Sequence, residues 1–300
     1  MTTTASPPAP TQIGGTRHQY RWDHEGETVV AYESLGTGTP VLLLPAFSTV
    51  SSRTEMAGIA QALAPHFQVI ALDWLGFGDS DRPGAQYGSA LYKQLLQDFV
   101  RDCIDQPVAV IAAGHAAGYA MHLAQAQPEA CSKLMLIAPT WKGPFRAMGA
   151  PASVASGVRN LVRSPLLGQA LYGLNTHPAF LKWMYQRHVY VDADPLTPEF
   201  IAHKHQITQQ PGSRFAPAAF VTAALDPMQD REEWLRVGRS LTLPVQMIIA
   251  DKAPPQSKAE MEALASLPQI QSQRIPGSLG LYEEYATEVG QIALTFCQTP

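Results

Sequence analysis

No apolar run in this 300-residue chain approaches the roughly 20 residues needed to span a bilayer. The N-terminus lacks the basic-then-apolar lead of a secretory signal. Neither sign of charge is in large excess: 21 Lys and Arg stand against 25 Asp and Glu, a net charge of −4. That balance gives no electrostatic reason to expect nucleic acid or an anionic membrane surface as a partner. Cysteine is scarce, and Cys103, Cys131 and Cys297 have no metal-type spacing. Reduced thiols and a cytoplasmic setting are therefore expected, without disulfide framework or structural metal. Internal repeats are lacking, and low complexity is confined to the Thr-, Pro- and Ser-rich start, so residues 1–16 are expected to be a disordered tail. What is left is long enough to bury a large core without a staple.

Patterning then gives the architecture. Tyr20–Trp22 and Thr28–Tyr32 alternate around a turn and read as a hairpin. Val41–Leu44, Phe67–Leu72, Pro107–Ala113, Lys133–Pro139 and Pro244–Ala250 are continuous apolar runs, as strands covered on both faces would be. A last strand is expected at Ile270–Pro276. Helical patterns alternate with these runs: one from about Ser52, whose offset to Glu55 suits a capping box, then Tyr92–Cys103, Tyr119–Gln127, Arg231–Arg239, Ser257–Ser266 and Tyr282–Phe296. This rhythm means crossover units and a mostly parallel sheet flanked by helices, an α/β protein. It breaks after Pro139. Residues 140–230 have no buried-strand pattern and carry helical pieces at Ser153–Val162, Leu166–Leu174, Pro178–Arg187 and Pro198–Gln206. They read as a helical cap inserted into a core of 17–139 and 231–300, since a structureless loop of that length would be unusual.

The chain is organised around Pro107–Gly118, where an apolar strand meets the turn Gly114-His115-Ala116-Ala117-Gly118 and a small-residue helix follows. Strand, sharp turn and helix are the setting of a G-x-S-x-G nucleophile elbow, whose middle residue sits at a strained turn with its side chain bare to a pocket. Here the middle residue is Ala116, and a methyl group cannot attack a carbonyl.

Three features together resemble the α/β-hydrolase superfamily, from about Tyr20 to Phe296. They are the strand Val41–Leu44 running into Pro45-Ala46-Phe47, the loop Asp73-Trp-Leu-Gly-Phe-Gly-Asp-Ser-Asp-Arg-Pro83, and the Gly114–Gly118 elbow followed by a helical insertion. The resemblance implies a nucleophile, an acid and a histidine in that chain order. The nucleophile position is Ala116. The acid would follow the strand ending at Ala250, where Asp251 stands nearby. The histidine would follow the last strand, but the chain there reads Gly277-Ser278-Leu279-Gly280-Leu281-Tyr282, and no histidine occurs after His205. By the same resemblance the backbone N–H groups of Phe47 and Ala117 would form an oxyanion site, which needs no particular side chain.

The other candidate residues also have structural readings. His115 can be packing. Asp73 can hold its loop, and Ser80 and Asp81 can be turn residues. Glu283 and Glu284 can complement a helix dipole. His203 and His205, two apart on a helix, face away from each other and so cannot share a metal. Trp141, Trp183, Met184, Tyr185 and Phe220 can line a cavity under the cap or form its core. The expected function is therefore binding of an apolar small molecule bearing a carbonyl or carboxylate, at Phe47, Ala116, Ala117 and Trp141, without a cofactor or metal. The alternatives are an enzyme of non-serine mechanism whose base is His115, His188, His203 or His205, with His115 and Asp251 as catalytic candidates, and an interaction module with a collapsed pocket that binds through its cap.

Overall fold

The structure, a computed structural model, describes residues 12–24, 26–164 and 166–299. Eight strands form one sheet. β1 (Thr16–Asp23) and β2 (Glu27–Leu35) make an antiparallel hairpin, and β2 also pairs antiparallel with β4 (Gln68–Leu72). β3 (Pro40–Leu44), β5 (Val108–Ala113), β6 (Cys131–Ile137), β7 (Val245–Ala250) and β8 (Ile270–Ile275) run parallel with β4. Their order is β1-β2-β4-β3-β5-β6-β7-β8. Every residue of β3 and β5 is buried, which is why both read as unbroken apolar runs. The edge strands read differently. In β8 only the two terminal isoleucines are buried, and in β1 only Tyr20 and Trp22.

A tight helical turn at Arg53–Met56 and α1 (Ala57–Leu63) connect β3 to β4. α2 (Ser89–Cys103) and α3 (Ala116–Ala126) flank β5. Between β6 and β7 the regular elements among the described residues are all helices: α4 (Pro144–Ala147), α5 (Ala152–Arg163), α6 (Leu167–Asn175), α7 (Pro178–Met184) with a π-helical turn at Tyr185–Val189, α8 (Pro198–Thr208), α9 (Phe215–Val221) and α10 (Arg231–Arg239). α11 (Pro255–Ala265) precedes β8, and α12 (Leu281–Glu284) and α13 (Ala286–Gln298) close the chain. The single closing helix expected from Tyr282 is thus broken at Tyr285.

Three expectations need correction. Ser52 makes no capping hydrogen bond, and Glu55 is buried elsewhere, so there is no capping box. Of the expected 1–16 tail, residues 1–11 lie outside the described residues, but the segment that follows them is held. Ile13 is buried, the backbone amides of Gln12 and Gly15 donate to the Glu33 carboxylate, and Thr16 opens β1. The boundary expected at 230 does not separate two cores either. Ala216, Ala219, Leu225 and Met228 belong to the main core around the sheet. A second, smaller core forms further out from Val50, Leu181, Tyr185, Tyr190, Leu196 and Ile201.

The three cysteines are free thiols, and burial pushes all three above the usual thiol range, Cys131 to about 12. Among the described residues no helix is long and apolar enough to cross a membrane.

Candidate functional site

The elbow lies at the carboxyl end of β5, between β3 and β6 near the middle of the sheet. Gly114 makes the turn at φ +53°, and its N–H donates to Ile137 O at 2.9 Å. A Cβ on Gly118 would lie 2.4 Å from Pro227 Cγ, so the close approach of helix and neighbouring loop demands glycine there. The frame is present, but the strained centre is not. Among the described residues the only non-glycine positions with positive φ are Ala138 and Ala223. α3 begins at Ala116 without a kink, His115 already having helical angles.

The residues at the turn itself are closely packed. Ala116 and Ala117 have no measurable exposure and Phe47 only 3%, so no water-sized opening lies beside them. The Phe47 ring stacks on Trp74 at 4.8 Å and meets Tyr92 edge-on at 5.0 Å. Ala117 N–H donates to Gly114 O at 3.3 Å and is not aimed at a ligand. As folded, the residues expected to bind a ligand, Phe47, Ala116, Ala117 and Trp141, are all buried. Trp141 is 3% exposed, with Lys142 and Arg146 over its ring at 4.7 and 4.9 Å.

His115 is equally enclosed. Its Nδ1 lies 2.8 Å from Thr140 Oγ1, and the Phe220 ring meets it edge-on. Nε2 stands 3.5 Å from Asp226 Oδ1 without forming a hydrogen bond. Asp226 is already used: Oδ1 accepts from Gly143 N at 2.7 Å and Oδ2 from Arg146 at 3.2 Å. The histidine therefore holds the base of the helical segment against the elbow. Asp226 was not legible as its neighbour, because the two are 111 positions apart in the chain.

The end of β8, where a triad histidine would stand, is tied to the helical segment. Gly280 N donates to Val189 O at 2.8 Å and Ser278 Oγ to His188 O at 2.9 Å. Beneath this lies a buried ionic cluster. Lys204 of α8, 1% exposed, has Nζ 3.2 Å from Glu55 Oε1 and 2.9 Å from Glu283 Oε1. Tyr282 Oη donates to Glu55 Oε2 at 3.3 Å, and the Phe200 ring faces the ammonium at 5.3 Å. Two carboxylates, Glu55 buried and Glu283 partly exposed, share one buried ammonium. Burial pushes Glu55 up to about 7, against the pull of Lys204. Burial alone would lower Lys204, but Glu283 and Glu55 more than offset it and hold it charged. Glu283 and Glu284 stand in the first turn of α12, as the helix-dipole reading expects, and each has a further partner. Glu283 binds Lys204, and Glu284 accepts from the N–H groups of Val191 and Asp192.

The remaining candidates do not converge on the elbow. Asp73 is buried against Arg53, whose guanidinium also reaches Glu33 and Asp79, and burial raises its carboxyl to about 6. Ser80 Oγ accepts from Ala31 N and Asp81 accepts from Val29 N, which fastens this loop to β2. Asp251 pairs with Arg274 at 2.8 Å and Lys258 at 3.3 Å, and the Arg274 hydrogen bond holds its carboxyl below the usual range. His205 Nδ1 is committed to Thr176 O at 2.8 Å, while His188 and His203 are exposed. Among the described residues no three His, Cys, Asp or Glu side chains are grouped to hold a metal. Of the aromatic candidates, Tyr185 is core, Phe220 packs on His115, and Trp183 is 51% exposed.

One open concavity lies away from the elbow. A groove of about 560 Å³ runs between α7 and α8, walled by Pro178, Ala179, Pro198, Ile201 and Ala202, with Lys182, His205, Gln206 and Gln209 at its polar positions.

The sequence matches the α/β hydrolase fold family over residues 39–278. An uncharacterised protein of Mycobacterium tuberculosis is 32% identical over 107 residues, which is 36% of this chain and 31% of that protein. The chain thus matches about a third of the length of such curated relatives. A bromoperoxidase from Bacillus anthracis superposes with a TM-score of 0.74 at 17% identity, covering 95% of this chain and all of that one. An esterase from Thermogutta terrifontis gives 0.70 at 20% identity over 94% and 98% of the two chains. An enol-lactonase from Burkholderia xenovorans gives 0.69 at 14% over 91% and 97%. At these identities the superpositions establish the fold alone.

Proposed function

The chain belongs to the α/β-hydrolase fold family, and from that premise we propose that it performs no serine-hydrolase chemistry and acts by binding. The observation that carries this reading is the elbow itself. Its centre is Ala116, unstrained and unexposed, where the mechanism requires a bare nucleophile beside free N–H donors. The buried Lys204 cluster supports it, since the groups it gathers just after the expected histidine position, Tyr282 and Glu283 with Glu55, include no histidine.

The ligand is an apolar small molecule carrying a carboxylate, and its seat is the α7–α8 groove. A volume of about 560 Å³ falls in the ordinary range for small-molecule sites, and Lys182 supplies a cation at the edge of an otherwise apolar wall. Turnover of activated esters of short to medium chain, run beside a fluorophosphonate probe, tests the first part. No turnover and no labelling are expected, and labelling with turnover would overturn the reading. Turnover without labelling would favour a histidine base, His115 being the first to replace with Ala because it alone of the candidates abuts the elbow. Calorimetric titration with straight-chain carboxylates tests the second part. Saturable binding that is lost in Ala202→Trp, which fills the groove, is expected, and absence of binding by the parent protein would refute the assignment.

A further inference from the structure

Among the described residues, all the large apolar side chains that are strongly exposed lie between Met148 and Val191. The most open are Leu166 at 85%, Met148 at 72% and Leu174 at 71%. They are ordered by helix geometry. Leu167, Leu171 and Leu174 fall at i, i+4 and i+7 on the outer face of α6, while Gly168 and Tyr172 are buried on its inner face. On α5, Val154 and Leu161 repeat the i, i+7 spacing outward, with Ala155 and Val162 buried. Phe180 and Trp183 are neighbouring rings on α7. Scattered exposed leucines need no explanation, but a face of this regularity does.

Charge is segregated in the same stretch. Between Glu129 and Asp192 the sequence contains no acidic residue at all, although the whole chain is acidic at −4. The helices that carry the apolar face hold Arg159, Arg163, Lys182 and Arg187. Arg163 is used on the carbonyls of Gly84 and Ala85, while Lys182 and Arg187 are exposed and, like Arg159, pair with no carboxylate among the described residues. Helices with an apolar outer stripe, unpaired basic residues and an exposed Trp match the pattern of an interfacial element, in which apolar side chains enter the headgroup boundary and basic ones meet anionic lipid.

From this we infer that the α5–α7 face docks on the surface of a bilayer containing anionic lipid, as a peripheral attachment that leaves the fold intact. A second copy of the chain suits the face less well. A two-fold contact would oppose the same unpaired cations across one interface, with no acidic side chain between Glu129 and Asp192 to answer them. The inference is independent of the elbow and shares with the groove only Lys182, its apolar contacts coming from the outer face of these helices.

The test is co-sedimentation of the full chain with vesicles of phosphatidylcholine alone and of phosphatidylcholine with 30% phosphatidylglycerol, at low and high salt. About tenfold or stronger partition onto the anionic vesicles is expected, weakened by salt, with a blue shift of Trp emission that Trp183→Phe removes. The triple variant Leu167→Ser, Leu171→Ser, Leu174→Ser and the triple variant Arg159→Gln, Lys182→Gln, Arg187→Gln should each lower partition at least about tenfold. Unchanged far-ultraviolet circular dichroism would show both to be folded. No binding to either vesicle would overturn the proposal, as would equal binding to both. Dimerisation in the absence of lipid that the leucine variant abolishes, with no vesicle binding by the parent, would assign the face to a second copy and overturn it as well.

Discussion

The two faces of the helical segment between β6 and β7 invert the usual rule in opposite senses. Inward, α8 buries an ammonium group, Lys204, between two carboxylates. Outward, α5 and α6 expose leucines that most proteins would hide. The inner face gains its hold from pairing, because an ion out of water is tolerable only with partners around it. The outer face forgoes burial, so nothing in the fold depends on it. The segment is therefore fastened by charge and presents grease, and the contrast separates what anchors it from what it offers.

Lys204→Met would break that contrast most severely. It leaves Glu55 and Glu283 facing each other without a cation, and removing one partner of a buried pair costs about 3–5 kcal/mol. Urea denaturation should show the loss, and a change under 1 kcal/mol would mean that the cluster is not an anchor. Acid should sharpen the same point. Glu55 titrates at about 7 in the fold, through burial, against an ordinary 4.5, and Asp73, also through burial, at about 6 against 3.8. A carboxyl with a raised folded pKa keeps its proton longer in the fold than in the unfolded chain. Stability should therefore fall as pH rises from about 4 to about 7 and level off above that. The urea midpoint measured across this range checks it, and Glu55→Gln should flatten much of the slope while the outer-face variants leave it unchanged. At the elbow, Ala116→Leu should cost about 1–3 kcal/mol by overpacking a position with no exposed surface. Ala116→Ser should remain inert toward activated esters, because the added hydroxyl meets packing in place of a substrate. The smallest effect belongs to the outer face, where Leu167→Ser should change the unfolding free energy by no more than about 0.5 kcal/mol.

Much of the scaffold was legible. Continuous apolar runs marked β3, β5, β6 and β7 because strands covered on both faces have no polar side to alternate with. Gly114 and Gly118 framed the elbow because local backbone and close packing demand them. What could not be read is whatever depends on side chains brought together from afar. Glu55, Lys204 and Glu283 belong to three elements with no local pattern between them, and Glu55 looked like a helix cap for that reason. The surroundings of His115 depend on Thr140, Phe220 and Asp226, none of which periodicity places beside it. The outer face was readable in part and was masked by averaging. A whole-chain charge of −4 hides an acid-free stretch that residue-by-residue tracking exposes.

The sheet's two margins bear on how the molecule can aggregate. Outermost are β1, with Arg17, Arg21 and Asp23, and β8, with Gln271, Gln273 and Arg274, so each free row of backbone donors and acceptors is fringed by polar and charged side chains. Such fringes discourage a neighbouring chain from adding its own strand. Filament growth by strand addition is thus disfavoured at both ends, and molecules crowded together would meet first through helices, in contacts that can be undone.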